Sequence, residues 1–413
     1  MTRRAVITGL GIVSPIGVGV EAFWRAALEG RSGIGRPTLF DASKLPSECQ
    51  IVGEVRDFDA RDWMPPATAK RAGRFSHFAV AASKLAIADS DLDIDEVGPP
   101  RVMVSLANTT HGVIDGEAIL AAFYQGGSVP PWTCLEYPAH SATAHVTIET
   151  AAVGQVTTIA TACTGGLDAI AWAADQIRNN TATAVLAGAS DAPLSPFTLA
   201  SFQAVGVLSQ WRGAPSEASR PYDARRSGLV LAEGAAVVVV EDEAYARRRG
   251  AHIYAEIAGA ASTSEGLHHR KVEPSGAAAI SAMTLALTRA RLGTDDIDYV
   301  VGHGSSLPDY DAAESTALKT LFGRRAWSVP ISSLKSMCGQ ALAASSAMQV
   351  VGGALAIRDQ IVPPTINYRY QDPLCDLDYV PNVARRTRVQ NALIHAHGLG
   401  GSHTALVLHR ISP

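Results

Sequence analysis

The amino-acid sequence predicts a layered α/β protein. Three observations carry that reading. Short β-branched apolar runs alternate with longer alanine- and leucine-rich stretches, glycine is plentiful at 36 residues, and charged residues make up only 18% of the chain. Together these point to mostly buried strands covered by helices. At 413 residues, the chain is long enough for one duplicated body or for two to three domain-sized units.

Strands are expected over residues 5–9, 102–106, 156–160, 184–187 and 235–241, then over 254–257, 299–302, 392–396 and 404–408. Each is a short run rich in β-branched or small apolar residues. Helices are expected over 76–88, 165–179, 276–290 and 339–360, where alanine and leucine recur without an interrupting proline. The second half repeats the order of the first loosely, so the chain reads as two halves, 1–250 and 251–413. No low-complexity linker separates them, and they should pack as one body. Loops rich in glycine, serine and proline follow strand-like runs at 161–165, 303–311, 332–340 and 397–403. In layered α/β folds, ligand chemistry gathers at such carboxyl ends of strands.

Charge excludes some functions. Thirty-nine acidic residues face 35 basic ones, a net charge of −4, with no basic stripe for nucleic acid. No polybasic block or apolar run approaches the roughly 20 residues a membrane span needs. Met1 leads directly into Thr2-Arg3-Arg4 and a strand-like run without signal-peptide architecture, so a cytoplasmic protein is expected. The five cysteines are scattered, offering neither a disulfide framework nor a CxxC pair, and no metal is expected.

Cys163 stands apart from the other four. It lies in Ile159-Ala-Thr-Ala-Cys-Thr-Gly-Gly-Leu167, where an apolar strand turns into a long helix. Unpaired N–H groups and the positive helix end would favour its thiolate, and Gly165 and Gly166 would let a substrate carbonyl approach the backbone. The competing reading is a small buried hydrophobe. A nucleophilic thiol also needs proton management and donors for a developing oxyanion. His303 opens one glycine-rich loop and Lys335 lies in another. Taken singly, each also reads as a satisfied core histidine or a solvated lysine.

Along essentially its whole length the chain resembles the β-ketoacyl-carrier-protein synthases, the condensing enzymes of fatty-acid and polyketide synthesis. The resemblance rests on Arg4-Ala-Val-Ile-Thr-Gly-Leu-Gly-Ile-Val-Ser-Pro15, Thr161-Ala-Cys163, Arg220-Pro-Tyr-Asp223 with Glu233-Gly234, and His303-Gly304. It continues through Lys335-Ser336, Val362-Pro-Pro-Thr-Ile-Asn367, Cys375-Asp-Leu-Asp-Tyr-Val-Pro381 and Gly398-Leu-Gly-Gly401. It implies a thiolase-like, five-layer α-β-α-β-α fold from two similar halves, and a homodimer. It also implies an acyl group delivered on the phosphopantetheine of an acyl carrier protein or peptidyl carrier domain, with no other cofactor. Cys163 matches the nucleophile, His303 the first catalytic histidine and Lys335 the structural lysine, with backbone N–H groups of Cys163 and Leu399 as the oxyanion hole.

The chain departs from the family where malonyl decarboxylation is carried out. The second histidine reads Gln340, which can donate a neutral hydrogen bond but cannot become cationic. Gln349 replaces the glutamate held to fix the lysine, so the charge of Lys335 is expected to be re-paired. Leu399 and His397 stand at phenylalanines of the gating segment, Leu229 at a pocket phenylalanine, and Ser305 and Leu307 at threonines that meet pantetheine. Phe202 is retained, and Asn108-Thr-Thr-His111 occupies a segment that normally lines the acyl pocket. Leu399 and Phe202 also read as packing residues, His397 as a core histidine, and Asn108 and Thr109 as helix caps.

These departures point to an acyltransferase that loads Cys163 without decarboxylating malonyl units. Its second step would be intramolecular carbon–carbon bond formation of aldol or lactonisation type, as in γ-lactam-β-lactone formation, or acyl transfer. A polar pocket for a functionalised chain is expected. Ordinary decarboxylative elongation and a non-catalytic partner subunit are the alternatives; retention of Cys163 weighs against the latter.

Overall fold

The apolar runs of the first half become β1 (Ala5–Ser14), β2 (Val102–Ala107), β3 (Val156–Ile159), β4 (Ala184–Asp191) and β5 (Gly234–Asp242). Those of the second half become β6 (Ala255–Ser264), β7 (Tyr299–Val301), β8 (Ile331–Ser332), β9 (Asn391–Gly398) and β10 (Ser402–His409). The computed structural model describes residues 3–411. In space the strands run β3-β2-β4-β5-β1 and β8-β7-β9-β10-β6. Both halves thus order their strands third, second, fourth, fifth, first. The directions repeat too, with parallel pairs among the first three strands and antiparallel pairs beyond. The two half-sheets join into one continuous sheet where β1 pairs with β6, Val6 opposite Glu256 and Ile7 opposite Ala255.

Helices complete the layers. Outside the first sheet lie α1 (Arg74–Ser90) and α3 (Ser141–Thr150), with α2 (Val113–Tyr124) at the rim. Between the sheets lie α4 (Gly165–Arg178) and α7 (Ala343–Asp359), and outside the second lie α5 (Ala277–Ala290) and α6 (Pro308–Phe322). Every residue of α7 from Ala343 to Ile357 is buried, as a central helix covered on all sides must be. This is the α-β-α-β-α arrangement of the thiolase-like class. No described helix is long and apolar enough to cross a membrane.

Two expectations shift. The strand anticipated at 254–257 extends to Ser264, because β10 pairs along its full length from Glu256 to Ser264 and the serines and threonines there read as loop. The helix anticipated from residue 339 begins only at Ala343. Gly339 and Leu342 adopt positive φ values of 76° and 49°, and Gln340 instead bridges to Leu231. Asp191 at the end of β4 then accepts the Ala343 N–H at 2.9 Å, satisfying one of the orphan donors at the start of α7.

Candidate active site

Cys163 sits in a single 3₁₀ turn, Ala162–Thr164, between β3 and α4. Ala162 carries a φ of 55°, a conformation a non-glycine residue holds only when its surroundings enforce it. The glycines after the nucleophile do different work from that expected. A Cβ on Gly166 would lie 2.6 Å from the Ala347 nitrogen and 2.7 Å from the Ala343 carbonyl oxygen, so this glycine allows α4 to close on α7. Gly165 is likewise filled from behind by Ala107 and Ala343 rather than open to a substrate carbonyl. Beneath the turn, Asp168 accepts hydrogen bonds from Thr164, Ser262 and Thr404, tying α4 to β6 and β10 of the other half.

The thiolate expected at the helix start is not what the site favours. Burial pushes the Cys163 thiol up to about 11, aided by the nearby Asp191 carboxylate. The charge of Lys335, the Leu399 N–H and the Gln340 side chain oppose that rise without cancelling it. Leu399 N–H and Gln340 therefore both address the sulfur. Gly398 brings its turn so close that a Cβ there would lie 3.4 Å from the Cys163 nitrogen. The turn that carries Leu399 thus lies against the turn that carries Cys163.

His303 follows β7. Its Nδ1 accepts the His397 backbone N–H at 3.2 Å, so the ring proton resides on Nε2. Burial, then the charge of Lys335 and the neighbouring imidazoles, hold its pKa well below the ordinary histidine value. His303 is accordingly a neutral Nε2–H donor. Lys335 donates to the His303 carbonyl oxygen at 2.7 Å and to Gln349 Oε1 at 3.2 Å. Among the described residues it has no carboxylate within ion-pair distance, so its charge is not re-paired. Burial brings it down to about 8 against the pull of Glu314. Gln349 in turn donates to the carbonyls of Gly302 and His395, binding the ends of β7 and β9 together.

The sulfur's surroundings combine an apolar cluster with the polar Gln340, Lys335 and Asp191. Leu229, Leu307, Leu342, Tyr310, Phe202 and Leu399 share one hydrophobic cluster with Cys163, together with Leu194, Leu199 and Val207. Of the polar residues anticipated there, Asn108 and Ser305 bond to the backbone, while Asn108 Oδ1 and His397 Nε2 are buried without a hydrogen-bond partner. Asn108 donates to the Ala139 carbonyl at 2.8 Å and caps no helix, since α2 begins at Val113 after Gly112. Ser305 shapes its own loop, with its N–H on Asp311 at 2.8 Å and its hydroxyl accepting the Leu307 N–H at 3.3 Å. His397 borders His303, their rings 6.0 Å apart, and stacks on Tyr310 at 4.3 Å.

Profiles of the β-ketoacyl synthase N-terminal domain and C-terminal domain match residues 2–246 and 254–369. The chain belongs to the β-ketoacyl synthase family. This ketosynthase, a transferase by family, is 40% identical to the tetracenomycin polyketide synthase ketoacyl synthase alpha subunit of Streptomyces glaucescens, over 99% of this chain and 97% of that one. It is 39% identical to 3-oxoacyl-[acyl-carrier-protein] synthase 2 of Coxiella burnetii over 99% of both. A solved complex of a type II PKS acyl-carrier protein with its ketosynthase bound to the hexaketide matches with a TM-score of 0.92 and 34% identity over 100% of both chains.

The ketosynthase also builds its site from residues the motifs do not announce. Asp191 accepts the N–H groups of Thr109 and Thr110 as well as that of Ala343, and burial lifts its pKa to about 6. Glu314 of α6 accepts from His303 N, Gly304 N, the Tyr222 hydroxyl and His395 Nδ1. Burial pushes that carboxylate up, but these donors overcome it and hold the pKa at about 2. The sequence offers only weak hints of either: an aspartate closing an apolar strand, and an acid in a helix just past the His303 loop.

Proposed function

We propose that this ketosynthase takes an acyl group from a carrier-protein phosphopantetheine thioester onto Cys163 and does not decarboxylate malonyl units. It completes its cycle by intramolecular carbon–carbon bond formation of aldol or lactonisation type, or by acyl transfer. The observation that carries this reading is Gln340. It reaches the nucleophilic sulfur from the position the resemblance gives to a histidine, and an amide can neither carry a charge nor shuttle a proton.

Loading needs only groups of the chain, and no cofactor is invoked. The Cys163 sulfur attacks the thioester carbonyl as its proton leaves, because a thiol at about 11 is not ionised beforehand. Cys163 N–H and Leu399 N–H hold the oxyanion, the bond to the pantetheine sulfur breaks, and that sulfur departs with the proton. In the second step an acidic carbon or hydroxyl of the same chain attacks the Cys163 thioester, the C–S bond breaks, and the Cys163 sulfur leaves with the proton of the attacking group. The His303 Nε2–H and the Gln340 amide are neutral donors for the enolate or alkoxide character that develops. The leucine-rich walls suit a largely hydrocarbon acyl chain. For quaternary structure we propose a homodimer closed at the free edge of β3. Val156 on that edge and Ile148, Val153, Phe123 and Tyr124 beside it are exposed apolar side chains.

Intact-protein mass spectrometry with an acyl-carrier thioester bearing an internal carbon nucleophile or hydroxyl tests the reading. The wild type should gain the acyl mass and release a ring product or the transferred acyl group without a second extender substrate, while Cys163→Ala gains nothing. Extension of the chain by a malonyl unit would refute it. Decarboxylative elongation is the second reading, favoured by the full-length 40% identity to a polyketide ketoacyl synthase alpha subunit.

A further inference from the structure

A buried line of titratable side chains runs behind the site: Glu314, His395, His403, Glu265, with His397 alongside. Glu314 already accepts three other donors and so takes the Nδ1–H of His395 at 2.8 Å as a carboxylate. His395 Nε2 lies 3.1 Å from His403 Nδ1. His403 Nε2 in turn lies 3.0 Å from Glu265 Oε1. His397 Nε2, buried and without a hydrogen-bond partner, lies 3.7 Å from the same oxygen. No Lys or Arg pairs with Glu265 among the described residues, and the three ligand atoms lie within 4.8 Å of one another.

We propose that Glu265, His397 and His403 form a site for a divalent first-row transition-metal ion. Two imidazole nitrogens and a carboxylate oxygen suit Zn²⁺-like ions, which take such ligands at ~2.1 Å. A cation there engages the orphan His397 nitrogen and neutralises the buried carboxylate. Its open coordination position would face the chamber that His397 shares with His303 and Tyr310. Because Glu265 N–H also donates to the Gly401 carbonyl at 2.8 Å, the ion would fasten the end of β6 to the turn that carries the Leu399 N–H. The site is independent of the acyl chemistry proposed above.

The test is titration of metal-stripped protein with Zn²⁺ by calorimetry and with Co²⁺ by visible absorption. One equivalent should bind per chain, with a low-coordination Co²⁺ d–d band and a Tm that rises with Zn²⁺. Glu265→Gln and His403→Asn should each weaken binding at least tenfold, and His397→Phe, which keeps a ring against Tyr310, should also weaken it. Cys163→Ala should leave binding unchanged. No stoichiometric binding by the wild type would mean that a proton bridges His403 and Glu265 instead. Binding lost in Cys163→Ala would mean that the nucleophile holds the ion. Either result overturns the proposal.

Discussion

Cys163 stands where the start of α4 should lower its pKa, yet burial raises it to about 11, because the sulfur is enclosed by leucines and faces Asp191. Below that value the reactive thiolate fraction grows tenfold per pH unit. Iodoacetamide labelling of Cys163, followed by peptide mass spectrometry, should therefore accelerate about tenfold per unit from pH 7 to pH 10 without levelling. A plateau below pH 8 would show a preformed thiolate. Gln340→Ala removes a donor to the sulfur and should slow labelling further at fixed pH. Gln340→His is expected to create malonyl decarboxylation on the order of 10²–10³ above the wild-type background, the usual worth of one well-placed group in such a site. Measured carbon dioxide release equal to that of the wild type would show that the side chain does not control this step.

At the scale of elements, the site depends on α4 and α7 closing on each other behind the nucleophile. Gly166→Ala forces a methyl group against the backbone of α7 at Ala343 and Ala347. It should cost about 1–3 kcal/mol, read as a lowered denaturation midpoint with an unchanged m-value. The nucleophile turn, the His303 loop and the Lys335 loop were legible in the sequence because each is a local motif after an apolar strand. The late start of α7 was not. Gly339-Gln-Ala-Leu342 has helical composition, and only the pairing of Gln340 with Leu231 and the left-handed Leu342 break the helix there. Asp191, Glu314 and the His403–Glu265 contact were hidden for another reason. Most of their partners lie far along the chain, 138 residues away for His403 and Glu265, although Glu314 also takes the N–H groups of His303 and Gly304 only 11 and 10 residues before it. Asn108 and Ser305, expected in the pocket, bond to the backbone, Asn108 to Ala139, 31 residues away, and Ser305 to Leu307 in its own loop.

For the whole molecule, the matching strand orders of the two sheets place the ends of β3, β4, β7 and β9 around one chamber between the halves. The β3 edge is open, and a separate apolar cavity of about 610 Å³ is lined by α2 and Phe197. Apolar surface of this kind and an open strand edge are expected to be covered by a second copy. Sedimentation equilibrium should give twice the 43.2 kDa chain mass, and Val156→Lys should shift the protein toward monomer. A monomeric wild type at micromolar concentration would contradict the homodimer.

Carbon dioxide release from malonyl-carrier protein, followed alongside the mass of Cys163 in the same reaction, tests the non-decarboxylating function most directly. We expect an acylated Cys163 with carbon dioxide no higher than in the Cys163→Ala control. Stoichiometric release with extension of the Cys163-bound chain would contradict it and make Gln340 a working substitute for the histidine.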